Sequence, residues 1–253
     1  MQMDLLLGLH QTDKSYIYKL TKMIERSSFL MHGITMFEVN DYQVKVHKLY
    51  DHYKYNDQGY CWRKIFVIDN FYRNPEEVRN YALSSVPTDD KGVTGDLIGK
   101  RVCEENSELR KKLKPVYEFL CKQPTWENIE FDSDDFDSKW NDMKFWVNVS
   151  YGSDFAKRED NFHGDVVTYH KDNTKYKWAS LIYLNHDNES DGGTKFYQFK
   201  EDEPNFKPNE NDAFTCEMKY NRMVLYESRH THGAILNRDM FQTNPRLAQV
   251  FFM

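Results

Sequence analysis

The chain has 253 residues, 40% of them hydrophobic and 15% aromatic, enough to bury one sizeable core, and length alone allows one domain or two small ones. A formal net charge of -6 leaves no overall basic field to draw the protein onto nucleic acid or anionic lipid, so neither is an expected partner. No apolar run reaches the roughly 18 residues of a membrane span, the N-terminal residues lack the pattern of a signal peptide, and Cys61, Cys103, Cys121 and Cys216 form no CxxC pair, so a cytoplasmic protein without a zinc ribbon or disulfide framework is expected.

In chain order, Ser15 to Ile24 reads as a short helix within an N-terminal extension, residues 1–62, of mixed helix and loop. The aromatic stretch Tyr50 to Trp62 suits core packing or an interface better than a pocket lining. Lys64 to Asp69 is a strand. Pro75, followed by Glu76 and Glu77, suits the first turn of a helix, so Pro75 to Ser85 is predicted helical, and Glu108 to Cys121 is a second helix. The acidic stretch Glu130 to Asp137 reads as a solvated loop.

Beyond about residue 140 the texture turns to strands: Lys144 to Tyr151, Val166 to His170, Trp178 to Asn185, Thr194 to Phe199, Ala213 to Glu217, Arg222 to Glu227 and Arg246 to Met253. All carry β-branched or aromatic residues between turn signals. Gly192 and Gly193 read as the tight turn that opens the strand at Thr194, not as a phosphate loop, because no strand-to-helix turn with a lysine follows. Many short strands at this spacing predict a sandwich or barrel, with the jelly roll a leading candidate.

The chemistry concentrates in two places. His170 and Asp172 stand two residues apart at the end of a predicted strand, where alternate side chains share a face. A third metal ligand can come from Arg229-His230-Thr231-His232-Gly233-Ala234 after another strand. Two histidines and a carboxylate that leave the remaining coordination positions open are the donor set of non-haem Fe(II) oxygenases. A lone His-x-Asp is weak evidence, and the chain holds a second, His163-Gly164-Asp165. Order and context carry more: His170-x-Asp172, Tyr183-Leu184-Asn185, Gly192-Gly193-Thr194-x-Phe196, His232, then Arg246.

In that order of motifs, over residues 144–253, the chain resembles the Fe(II)/2-oxoglutarate-dependent dioxygenases, particularly their prolyl-hydroxylase-like branch and small phage and bacterial members. A fainter echo lies in residues 66–75. The resemblance implies a mainly β, double-stranded β-helix (jelly-roll, cupin-like) core with flanking helices. It implies one oxygenase domain over residues 63–253, with that core concentrated in 144–253. It further implies Fe(II), with 2-oxoglutarate and O2 as cosubstrates, and hydroxylation of a C–H bond with release of succinate and CO2. His170, Asp172 and His232 are the implied metal ligands. Arg246 opens the last predicted strand and is the implied anchor of the distal carboxylate, a role that suits the two-pronged guanidinium; capping a strand is its bland alternative. Tyr183 either adds a hydroxyl to that carboxylate or packs in the core.

Within the motif, His170 and Asp172 are preferred to His163 and Asp165 because they sit at the family's usual distance before Tyr-Leu-Asn. His232 is preferred to His230 because small residues follow it. The branch puts a peptidyl residue slightly ahead of small molecules as substrate. Two other classes stay open: a non-catalytic jelly-roll binding module, and a cupin-type metalloenzyme that does not use 2-oxoglutarate.

Overall fold

The computed structural model describes residues 16–19, 37–51, 61–85, 100–103, 107–122, 136–156, 162–163, 166–172, 176–189, 192–198, 209–236 and 239–253. In chain order the elements are β1 (Tyr16–Lys19), β2 (Gln43–Asp51), β3 (Cys61–Ile68), α1 (Pro75–Ser84), β4 (Lys100–Cys103), α2 (Ser107–Cys121), α3 (Phe136–Asp142), β5 (Lys144–Ser150) and α4 (Gly152–Ala156). There follow β6 (Phe162–His163), β7 (Val166–His170), β8 (Trp178–Tyr183), β9 (Gly193–Gln198), β10 (Asn209–Glu217), β11 (Met223–Glu227), β12 (His232–Ile235) and β13 (Arg246–Phe252).

The strands form a larger sheet in the order β1-β2-β3-β11-β8-β13-β5-β4 and a smaller one in the order β10-β9-β12-β7-β6, with every pairing antiparallel. From β5 onward the chain passes back and forth between the two. β5, β8, β11 and β13 lie in the larger sheet, and β7, β9, β10 and β12 in the smaller. That winding is the double-stranded β-helix that the resemblance implied, a jelly roll of the kind the strand spacing favoured, and the chain is mainly β with helices at its flank.

Side-chain alternation builds two cores from one sheet. Phe66, Ile68, Ile182, Leu225, Leu247 and Phe251 face outward and pack against Val78 and Ala82 of α1, Leu113 and Tyr117 of α2, and Trp140 of α3. Their neighbours Val67, Leu181, Tyr183, Val224, Tyr226, Ala248 and Val250 face inward and meet Phe196 and Cys216 of the smaller sheet. Period-two alternation thus assigns one set to the helices and the other to the barrel interior, where the site lies.

Several sequence expectations change. The helix expected over Ser15 to Ile24 is overturned where it is described: Tyr16–Lys19 is a strand, registered from Tyr16 opposite Val46 to Lys19 opposite Gln43. Aromatic and β-branched residues suit a strand, and the edge of β2 supplies the backbone partners. Residues 43–51, expected in helix and loop, form β2, which pairs with β3 from Val44 to Asp51. The expected acidic loop ends early, because Phe136 and Asp137 open α3; residues 130–135 lie outside the described residues. Phe136 and Trp140, four apart, bury one helical face and stack with ring centroids 5.8 Å apart. Gly192 and Gly193 both take positive φ (148° and 150°), and a Cβ at Gly193 would collide with the Cys216 carbonyl oxygen, so the turn into β9 needs glycine. Among the described residues no helix is long and apolar enough to cross a membrane.

At one end of β3, Asp69 accepts from Arg222 Nε at 2.6 Å and Lys45 Nζ at 3.1 Å. Burial works to raise its pKa, but the hydrogen bonds and charges of these two partners win and hold it at about 2. A carboxylate with a depressed folded-state pKa contributes stability above its ordinary pKa of 3.8 and loses it as pH falls toward about 2. Asp69→Asn is therefore expected to destabilise by about 1–3 kcal/mol at neutral pH. In urea denaturation the gap to wild type should shrink steadily below about pH 4, and a gap that stays constant into that range refutes the assignment.

Candidate metal centre

β7 and β12 are neighbours in the smaller sheet, and the register sets His170 directly opposite His232. Asp172 follows two residues after His170, and its position is fixed from the other sheet: its N–H donates to the Ser228 carbonyl, just past β11, at 2.9 Å. One ligand-type atom from each of His170, Asp172 and His232 lies within 4.8 Å of the others, the one such group of three found among the described residues. His170 Nε2 is 3.7 Å from Asp172 Oδ1, and His232 Nε2 is 3.6 Å from Asp172 Oδ2. The His170 side chain is 52% exposed, against 10% for Asp172 and 6% for His232, so the group is reached past His170.

The His232 ring is prepared to bind through Nε2. Its Nδ1 lies 2.8 Å from the His230 carbonyl oxygen, which can only accept, so Nδ1 carries the proton and Nε2 presents a lone pair toward the group. Burial pulls the His232 pKa down to about 4, outweighing the opposing charge of Asp172, and the ring is neutral at physiological pH. Phe196 of β9 and Tyr226 of β11 back the ring, with centroids 5.9 and 4.6 Å away. The Tyr226 hydroxyl stands 3.0 Å from His232 Nε2 and 3.2 Å from Asp172 Oδ2.

Arg246 is the first residue of β13, opposite Ser150 of β5. It shares the inward face with Ala248 and Val250. Its place is set by Asn185, whose amide donates to the Pro245 carbonyl at 2.8 Å and whose Oδ1 accepts from the Leu247 N–H at 2.7 Å. The Asn185 side chain thus grips the backbone on both sides of Arg246. Arg79 of α1 holds the same region, donating to the Leu184 carbonyl and pairing with Glu189 at 2.6 Å. The Arg246 guanidinium makes no hydrogen bond or ion pair with any described residue. Desolvation lowers its pKa, a fall opposed by Tyr183 and Tyr226. The Tyr183 hydroxyl sits 2.8 Å from Thr194 Oγ1, and burial pushes its pKa up.

Of the residues singled out in the sequence, His170, Asp172 and His232 converge, while Arg246 and Tyr183 lie together on the inward face of the larger sheet. His230 is buried, its ring 5.6 Å from Phe196, and does not join the group. The rival pair His163 and Asp165 lies outside the described side chains. Sequence reasoning missed Tyr226, which reads as one more aromatic in a buried strand, and missed the grip of Asn185 on β13.

No family model matches the chain, and no curated protein matches it. Several solved structures are similar to it. A prolyl 4-hydroxylase from Phytophthora capsici is 18% identical, with a TM-score of 0.39 over 74% of this chain and 57% of that one. A prolyl hydroxylase from Trichoplax adhaerens, in complex with a hypoxia inducible factor oxygen degradation domain peptide fragment, is 19% identical, with a TM-score of 0.44 over 74% of this chain and 82% of that one. A non-heme alpha-ketoglutarate-dependent epimerase from nogalamycin biosynthesis is 12% identical, with a TM-score of 0.43 over 74% of this chain and 78% of that one. The chain spans little more than half the length of the first of these.

Proposed function

We propose that this chain is an Fe(II)- and 2-oxoglutarate-dependent oxygenase in which His170, Asp172 and His232 hold the iron and Arg246 holds the distal carboxylate of the cosubstrate. The observation that carries the reading is the pairing of an open two-histidine, one-carboxylate group with a guanidinium that has no hydrogen-bond or ion-pair partner among the described residues, in the same barrel. Tyr226 borders the metal group, since its hydroxyl touches Asp172 and His232, and it faces the same barrel interior as Tyr183, Ala248 and Val250. An arginine left without an anion in a desolvated place is costly, and a dicarboxylate reaching from the metal group into the barrel offsets that cost.

The donor set fits the metal. One neutral imidazole with its tautomer fixed, one carboxylate and a second imidazole at the exposed edge match the two-histidine, one-carboxylate iron sites, with positions left for two further ligands. When bound, iron with 2-oxoglutarate and O2 supplies the oxidising power to hydroxylate an unactivated C–H bond, with release of succinate and CO2. The protein's residues do the rest. Arg246 fixes the cosubstrate by two-pronged charge-assisted hydrogen bonds, Asn185 fixes Arg246, and Tyr183 and Thr194 form a hydroxyl pair beside the carboxylate's place. Phe196 and Tyr226 exclude water from the inner side of the metal group. Residues 63–253 act as one oxygenase unit, with β2 extending its larger sheet, and a peptidyl residue ranks first among substrates on the sequence resemblance.

Anaerobic titration with Fe(II) and 2-oxoglutarate tests the reading. A visible charge-transfer absorption that needs both components is expected, followed by 2-oxoglutarate-dependent succinate once O2 and a substrate are admitted. Iron binding indifferent to 2-oxoglutarate would instead point to a cupin-type metalloenzyme, and absence of metal binding to a non-catalytic jelly-roll module.

A further inference from the structure

We infer that Tyr226 is a positioning residue for the metal group: its hydroxyl caps His232 Nε2 in the metal-free protein and turns wholly to Asp172 Oδ2 when a cation takes that nitrogen. The inference rests on the metal-binding reading above. It follows from counting protons. A phenol has one proton to donate, yet two acceptors stand within reach, His232 Nε2 at 3.0 Å and Asp172 Oδ2 at 3.2 Å. Because His232 Nδ1 gives its proton to the His230 carbonyl, Nε2 is a bare acceptor and not a donor to the phenol oxygen. The metal-free site therefore shares one O–H between the two residues that a cation would bind.

Once the Nε2 lone pair is engaged, Asp172 Oδ2 is, of these two described acceptors, the one left to that proton. Its partner oxygen, Oδ1, faces His170 Nε2 at 3.7 Å, while Oδ2 itself stands 3.6 Å from His232 Nε2. A hydrogen bond on Oδ2 would occupy that oxygen and disfavour closure of both carboxylate oxygens on a bound metal, which would help keep a coordination position for the cosubstrates. The ring cannot easily swing away from this duty: Tyr226 is 4% exposed and wedged edge-on between Phe196, centroid 5.0 Å away, and His232.

Titration with Co(II), whose visible spectrum reports coordination number, tests this on the whole chain without any turnover. Tyr226→Phe keeps the ring and its packing, and circular dichroism verifies the fold. It is expected to bind Co(II) about ten- to a hundredfold more weakly than wild type, with an altered visible spectrum. p-Aminophenylalanine at position 226, which restores an N–H donor at the same place, is expected to recover both. Wild-type affinity and an unchanged spectrum in Tyr226→Phe would overturn the proposal. Should that variant unfold, the aminophenylalanine protein carries the test: wild-type-like binding supports the proposal and a loss of about tenfold or more overturns it. If the wild-type chain does not bind Co(II), or His232→Ala binds it equally well, the underlying metal reading fails and this inference falls with it.

Discussion

His232→Ala is expected to bind Fe(II) or Co(II) at least a hundredfold more weakly than wild type and to lose 2-oxoglutarate-dependent succinate formation altogether. Outer residues around a metal typically cost about 10- to 100-fold when changed, so loss of a direct ligand sets in where that range ends. Of the three donors, His232 is the most buried and the most completely prepared, with its tautomer fixed through the His230 carbonyl and its pKa drawn down to about 4 by burial. No ring reorientation is needed at His232 before it ligates, so its loss removes a preorganised contact. The stability cost should be modest, about 1–3 kcal/mol from a lost buried hydrogen bond and a small void, leaving a folded protein in which calorimetric metal titration is interpretable. Metal affinity unchanged in folded His232→Ala would rule out the site. Because His170 is the exposed member of the proposed ligand set, His170→Ala should leave melting temperature closer to wild type than His232→Ala does.

Arg246→Ala is expected to raise the 2-oxoglutarate dissociation constant of the metal-loaded protein by a factor of about 30 to several thousand, the effect of truncating one partner of a buried charge pair worth about 2–5 kcal/mol. Metal affinity in the absence of 2-oxoglutarate should stay near wild type, because Arg246 is not among the metal donors. The same change should leave the melting temperature of the cosubstrate-free protein unchanged or raise it. The guanidinium is partly buried and without an ionic partner among the described residues, so it adds some cost and little stability to the fold. Lysine at 246 should recover only part of the binding, since it presents a point charge where a two-pronged donor is called for. A 2-oxoglutarate affinity indifferent to Arg246→Ala would remove the anchor from the proposal, and a marked loss of stability in the free protein would make Arg246 a structural residue.

Much of this was legible before any fold was known, for reasons that can be named. Strands from Lys144 onward announce themselves because aromatic and β-branched residues alternate between turn signals, and the structure places strands at all seven of the expected spans. His170 and Asp172 could be paired because a strand end carries residues i and i+2 on one side. β12 was not legible: four residues that include a glycine carry too little pattern, and it exists because β7 and β9 leave a gap that it fills. Tyr16–Lys19 was misread because a four-residue Tyr-Ile-Tyr-Lys stretch, though suited to a strand, is fixed as one only by the edge of β2, more than twenty residues away in sequence. Tyr226 was invisible as a site residue because a tyrosine inside Met-Val-Leu-Tyr-Glu looks like any core aromatic; only the alternation of a strand paired on both sides turns it toward the metal group. Asn185 was quoted as part of a motif, but its hold on residues 245 and 247 spans about sixty positions of chain, which no local pattern encodes.

The register that faces His170 with His232 has an evolutionary corollary. Two of the three donors belong to strands stitched side by side, with an irregularity just beyond the pair, between 232 and 234. Sliding either strand by a single step would turn its histidine to the opposite side of the sheet. Point substitutions along β7 and β12 other than at His170 and His232 can therefore drift while the proposed metal group survives, whereas a one-residue insertion or deletion in either strand would break that group up in a molecule that still folds.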